Sequence, residues 1–114
     1  DSMSRSFETG IPAKLDRVDT IADSLGSPYA LDYSFSVARE NTTGMVRVTD
    51  GDLRAAMRLY YDTFRIVAEP ACAAALAGLL GPLHDRCKGA KVGLIACGSN
   101  ISLPRYQQLL ANPI

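Results

Sequence analysis

The stretch that decides the fold is Val92-Gly93-Leu94-Ile95-Ala96-Cys97-Gly98-Ser99-Asn100. Its first five residues form a continuous apolar run of strand length with no polar alternation. That pattern predicts a strand buried on both faces, as in the centre of a parallel sheet. The run stops at Cys97-Gly98-Ser99-Asn100, and Ser102 and Pro104 are start signals for a last helix, Leu103 to about Leu110. In open α/β sheets, ligands sit beyond the carboxyl ends of strands. Cys97, Ser99 and Asn100 offer a thiol, a hydroxyl and an amide there, groups suited to hydrogen bonding rather than to strong acid–base work. Gly98 lets a ligand approach the backbone. A plain strand-to-helix turn uses the same residue types, so the residues alone leave both readings open.

Working back from this run, Pro70 suits the first turn of a helix, where its missing N–H is no loss. An Ala-rich helix is predicted over 71–80, able to approach a neighbour closely and ended by Gly81 and Pro82. Before it, Ile66 to Glu69 reads as a short extended connection. The clearest amphipathic helix follows Asp50, the expected N-cap. Leu53, Ala56, Met57, Tyr60 and Phe64 share one face, and Arg54, Arg58 and Asp62 form the expected solvated face. Met45, Val46 and Val48 read as a short strand. Leu31, Phe35 and Ala38 predict a helix over about 29–41. Thr20 to Leu25 reads as a helical turn ended by Gly26 and Pro28, and Lys14 to Val18 as an edge strand or loop. The order helix, strand, helix, helix, strand, helix predicts an α/β layered fold with parallel strands.

Composition narrows the function. The 114 residues are 47% hydrophobic and 21% charged, with 12 basic and 12 acidic side chains. A neutral chain has no broad electrostatic attraction to nucleic acid or to an anionic membrane. No apolar run reaches the roughly 20 residues of a membrane span, and no signal peptide opens the chain. Three cysteines, Cys72, Cys87 and Cys97, argue for a reducing compartment and against a disulfide framework. His84 and Cys87 lie close in sequence, but no C-x-x-C pair accompanies them, so zinc is not expected. There is no phosphate loop of the G-x-x-x-x-G-K type, no G-x-G-x-x-G, and no nucleophile–base pair around His84.

Four segments in order resemble the C-terminal part of the serine/threonine dehydratases, fold-type II enzymes that use pyridoxal phosphate (PLP). They are Asp19-Thr20-Ile21-Ala22-Asp23-Ser24-Leu25, then Val48-Thr49-Asp50, then Ala68-Glu69-Pro70-Ala71-Cys72-Ala73-Ala74-Ala75-Leu76-Ala77, and finally Cys97-Gly98-Ser99-Asn100-Ile101-Ser102-Leu103. The third and fourth blocks are specific in combination. The fourth is closer to the cysteine-bearing serine dehydratase form than to the commoner S-G-G-N form.

The resemblance implies a partial three-layer αβα sandwich with parallel strands. Residues 1–114 would then be one segment of the large, PLP-binding domain, with the N-terminal part and the small domain lying elsewhere. Cys97 matches the Ser or Cys that hydrogen-bonds the pyridine nitrogen of PLP; such a neutral partner makes a weaker electron sink and suits β-elimination. Gly98 and Ser99 match the turn beside the ring, with Ser99 a departure from Gly. Asn100 matches the Asn expected to hold the turn. Ser24 matches the small residue against one ring face, and Glu69 the acid of the E-P segment. A helix-terminal acid favoured by the dipole is the alternative for Glu69. The family's cation site uses carbonyls matching Leu25 and Ser27, with its side-chain ligand before Asp1, so no metal site is counted.

The Schiff-base lysine of an S-x-K-x-R segment has no counterpart among Lys14, Lys88 and Lys91. The glycine-rich phosphate loop is not matched either. Asp1 is therefore expected to be a cut in a longer chain, and the segment alone is expected to be inactive and to hold PLP only weakly. The implied parent is a cytoplasmic, homodimeric enzyme of amino-acid metabolism that deaminates L-serine or L-threonine to 2-oxo acids. The alternatives are a racemase or threonine-synthase-like PLP enzyme, or a non-catalytic truncated homologue acting as an assembly module. In the isolated segment, apolar faces made to pack on other strands would promote association.

Overall fold

In the computed structural model, which describes residues 1–111, the chain divides after Arg47 into two units. The first contains α1 (Ser2–Thr9), a short 3-10 helix (Asp23–Leu25) and α2 (Asp32–Asn41). Helix α1 has no counterpart in the sequence reading; it is short and mostly polar, with Met3 and Phe7 its large apolar residues. It is held by serine hydroxyls. Ser6 is fully buried; its Oγ donates to the Ser2 carbonyl at 2.8 Å and accepts the Ala13 N–H at 2.8 Å. Ser2 Oγ donates to the Ser27 carbonyl at 2.9 Å. Gly10 closes the helix in the left-handed region, φ 78°, where a residue without Cβ is unstrained. Phe7 meets Phe35 of α2 edge-to-face at 5.9 Å. Lys14, read as edge strand or loop, makes an isolated antiparallel bridge with Tyr29.

The second unit contains α3 (Asp50–Phe64), α4 (Pro70–Leu80), α5 (His84–Cys87) and α6 (Leu103–Ala111). The start of α3 corrects the expected cap. Thr49, not Asp50, is the N-cap, in a reciprocal box with Asp52. Thr49 Oγ1 accepts the Asp52 N–H at 3.2 Å, and Asp52 Oδ2 accepts the Thr49 N–H at 2.8 Å. Two otherwise orphaned donors are thereby satisfied. Asp50 is the first helical residue. Helix α3 ends at Arg65, a non-glycine residue with φ 60°. Its Nη1 donates to the Tyr61 carbonyl at 3.0 Å, and its guanidinium lies over the Tyr61 ring.

The core of this unit is the contact between α3 and α4, the most extensive between helices. Leu53, Ala56, Met57 and Tyr60 are buried on α3, and Cys72, Ala73, Leu76 and Ala77 on α4. Ala73 and Ala77 carry no bulk beyond Cβ, so the helices pack closely. Tyr106 and Leu109 of α6 cover the other side of α3, and Tyr106 Oη donates to the Met57 carbonyl at 3.4 Å. The face of α3 expected to be solvated is in part engaged. Arg58 donates to the Leu110 carbonyl, and Arg54 Nε is buried without a partner among the described residues. Both side chains lie where α3 is covered by its neighbours, which its own periodicity does not reveal.

The strands read from the sequence are not assigned. Among the described residues, neither Met45–Val48 nor Val92–Ala96 joins a β-ladder, and the one bridge is that of Lys14. Val92, Leu94 and Ile95, expected to be buried on both faces, are exposed at 44%, 37% and 78%. A central strand needs hydrogen-bonded neighbours on both edges and layers on both faces. The described residues supply neither to this run.

Thr49→Ala is expected to destabilise the fold by about 1 kcal/mol, read as a lower urea midpoint. Thr49, through its backbone first and its hydroxyl second, holds the Asp52 carboxyl below the usual carboxylate range. A lowered folded pKa stabilises above the unfolded value of about 3.9 and loses that contribution as pH falls through the folded one. The deficit of Thr49→Ala should therefore be present at pH 7 and shrink on acidification below about pH 4. Met57 is fully buried; Met57→Ala should cost about 2–5 kcal/mol in the same titration.

Candidate functional site

The expected site residues fall in both units. In the second, the turn after Ala96 is pinned to the start of α4. The Glu69 N–H donates to the Gly98 carbonyl at 3.1 Å. Glu69 is the N-cap of α4, with extended backbone, and its own carbonyl accepts the Ala73 N–H at 3.1 Å. Its side chain makes no capping bond. Instead it lies over Gly98: a Cβ added there would stand 2.5 Å from Glu69 Oε1 and 3.0 Å from Cδ. Gly98 also has φ +107°, so the backbone and the neighbour independently require glycine. Glu69 is thus an acid at the N-terminus of α4, where the dipole favours it, and its carboxylate also stands against the candidate turn.

Cys97, Ser99 and Asn100 are all exposed on this turn. Asn100, expected to hold it, makes no hydrogen bond with the described residues. The backbone does that work, through Gly98 to Glu69 and through the Ile101 N–H to the Ser99 carbonyl at 2.8 Å. Ser102 Oγ accepts weakly from the Arg105 N–H at 3.4 Å, at the start of α6.

Cys72 is the residue that sequence reasoning passed over. It lies one helical turn beyond Glu69 and is buried. Burial pushes its thiol pKa up, and negative charge at Cys97 and at Glu69 pushes it further in the same direction. The signal was available: Glu69 and Cys72 are three apart on a helix that begins at Pro70. Behind Cys72 lies Tyr60 of α3. Its buried hydroxyl has no hydrogen-bond partner among the described residues, and burial, then Cys72, raises its pKa.

In the first unit, Ser24 lies exposed on the 3-10 helix, its N–H donating to Asp23 Oδ1 at 2.9 Å. Leu25 and Ser27 line a cleft of about 310 Å³ with Asp1, Ser2, Tyr29 and Leu31 among others. The Ser27 carbonyl there already accepts from Ser2, and the Asp1 carboxylate is paired with Arg5 and Arg47. His84, by contrast, is exposed beside Asp85, with Nδ1 3.1 Å from Oδ1.

The groups at Cys97–Asn100 can hydrogen-bond a ligand. The turn presents an exposed thiol, an adjacent backbone free of Cβ, and a carboxylate alongside.

Residues 1–98 match the family described as pyridoxal-phosphate dependent enzymes. The chain belongs to that family, whose cofactor is pyridoxal phosphate. It is similar to phenylserine dehydratase of Ralstonia pickettii, 47% identical over 110 residues, which cover 96% of this chain and 34% of the relative. It superposes on the processed form of threonine deaminase isoform 2 from Solanum lycopersicum with a TM-score of 0.87 and 31% identity, over 96% of this chain and 33% of that one. Serine racemase from Dictyostelium discoideum gives a TM-score of 0.80 and 33% identity, over 90% of this chain and 33% of that one. The chain spans about a third of the length of these proteins. Among the described residues no helix is long and apolar enough to cross a membrane.

Gly98→Ala should destabilise the protein by about 1–3 kcal/mol, from left-handed backbone strain and the clash with Glu69. Glu69→Ala removes the clash but not the strain. In a double-mutant cycle the pair should therefore be less destabilising than the sum of the two single changes, by about 0.5 kcal/mol or more. Simple additivity would show that Glu69 does not bear on Gly98.

Proposed function

We propose that this chain forms the pyridine-nitrogen side of the cofactor site in a lyase that deaminates hydroxy amino acids of the L-serine and L-threonine class. The reaction is a β-elimination that releases a 2-oxo acid and ammonia. The observation that carries this reading is the exposed Cys97 thiol on a turn whose next residue, Gly98, is fixed to the start of α4 by Glu69.

Bound PLP supplies the electron sink that weakens the bonds at the substrate α-carbon. Cys97 holds the ring nitrogen by donating its S–H, so the nitrogen need not be protonated. Gly98 and Ser99 shape the wall beside the ring, Asn100 lies at the end of that turn, and the Glu69 carboxylate borders it. Ser24 would supply the small side chain against one ring face, as the family resemblance implies. None of these residues takes the α-proton or forms the covalent link to the cofactor. Lys14, Lys88 and Lys91 lack the setting for it, so residues 1–114 alone are inactive and bind PLP weakly.

In this reading the chain is the C-terminal portion of a large PLP-binding domain, a three-layer αβα sandwich. The apolar runs at 45–48 and 92–96 are its strands once the remaining strands of the sheet lie beside them. The parent is a cytoplasmic homodimer acting on small amino acids. The substrate range takes in an aromatic hydroxy amino acid, because the 47% identical relative is a phenylserine dehydratase. Racemisation on the same scaffold is the second reading, favoured by the likeness to serine racemase.

The test is Cys97→Ala in the full-length protein. PLP absorbance is followed together with 2-oxo acid released from L-serine, L-threonine and phenylserine. The variant should turn over about tenfold more slowly, the worth of one hydrogen bond of about 1.4 kcal/mol, with a shifted cofactor band. An unchanged band and rate would remove Cys97 from the site. Accumulation of D-amino acid in place of 2-oxo acid would select the second reading.

A further inference from the structure

Cys72 and Cys97 stand in a relation that the proposed chemistry leaves unused. Cys97 is exposed on the candidate turn, and Cys72 is buried one helical turn into α4. The two segments are fastened together by the 3.1 Å hydrogen bond from the Glu69 N–H to the Gly98 carbonyl. Glu69 is three residues before Cys72, and Gly98 is the residue after Cys97, so the bond brings both cysteines to one junction. The Glu69 side chain over Gly98 closes that junction from one side. Burial first, and then negative charge at Cys97 and Glu69, raise the Cys72 thiol pKa. Cys87, the third cysteine, lies on α5, outside this junction.

We propose that Cys97 and Cys72 form an oxidisable dithiol, in which a hydroperoxide oxidises Cys97 and Cys72 resolves it to an intramolecular disulfide. With hydrogen peroxide as the oxidant, the Cys97 thiolate attacks one oxygen, the O–O bond breaks, and the hydroxide that leaves takes up the proton released by the thiol, giving water and a sulfenic acid on Cys97. The Cys72 sulfur then attacks the Cys97 sulfur. The S–S bond forms, the S–O bond breaks, and a second water leaves with the Cys72 proton. The two thiols lose two electrons in total and the peroxide gains them. A dithiol reductant reverses the change. The exposed sulfur is the one a soluble peroxide reaches first, and the buried one has only its neighbour to react with. The consequence for function rests on the PLP reading above: a disulfide at Cys97 removes the S–H offered to the ring nitrogen.

The test separates the pairing from that reading. The full-length protein, with and without PLP, is treated with hydrogen peroxide, alkylated and digested with trypsin. Cleavage after Arg65, Arg86, Lys91 and Arg105 places Cys72 and Cys97 in different peptides, 66–86 and 92–105, and Cys87 in neither. The expected product is a reductant-sensitive species joining these two peptides. It should be abolished by Cys72→Ala, which leaves Cys97 as sulfenic or higher acid, and retained in Cys87→Ser. Cys97 joined to Cys87, or oxidised without ever pairing to Cys72, overturns the proposal. If the linked species forms and PLP slows its formation severalfold, the cofactor reading gains support from a measurement other than activity. If it forms at the same rate with and without PLP, the dithiol stands and the placement of Cys97 at the cofactor falls.

Discussion

The second unit depends on the close contact of α3 with α4, and that contact depends on side chains that are almost not there. Ala73 and Ala77 are buried on α4, and Leu53, Ala56 and Met57 on α3, the two helices that share the main contact of this unit. An Ala-rich segment has high helix propensity and loses little side-chain entropy on packing. It also leaves little room for error, because an added methylene in such a seam must displace a backbone. Helix α4 begins at Pro70 with its preceding residue extended, and this sets the direction in which Glu69 presents its N–H.

That N–H is the link from packing to chemistry. It meets the Gly98 carbonyl, and the candidate turn is thereby held at the end of α4 rather than left to its own local preferences. Gly98 has no Cβ and a positive φ, and the Glu69 carboxylate occupies the space a side chain would take. One residue thus joins the turn to the helix by its backbone and lines it by its side chain. Cys72 and Tyr60 sit behind this junction as buried polar groups. A buried hydroxyl such as that of Tyr60, with no partner among the described residues, is costly in an interior.

The apolar runs are informative in the opposite way. Ile66, Val67, Val92, Leu94 and Ile95 are large, β-branched or aliphatic, and exposed. Their type is that of buried strands, while their setting among the described residues is that of surface. The two facts agree if such residues gain burial only from chain beyond these residues, in keeping with relatives about three times as long. Secondary structure in a sheet is a property of pairs of strands, and a segment cannot be a strand by itself.

What the sequence by itself determined was everything local. Pro70 and Gly81 bounded α4, the spacing of Leu53, Met57 and Tyr60 gave the buried face of α3, and the C-G-S-N block marked the turn and the family. What it misassigned or omitted was non-local. The α3 cap moved by one residue because Thr49 and Asp52 reciprocate, and α1 is held by Ser2 and Ser6 through bonds to Ala13 and Ser27 far along the chain. The engagement of Arg58 is with Leu110, on another helix. The direction of the Glu69 carboxylate and the fastening of the Gly98 turn to the start of α4 were decided only by tertiary structure. Periodicity reports which face of an element is apolar; it carries no information about which other segment meets that face, and a site made from two segments exists only once they have met.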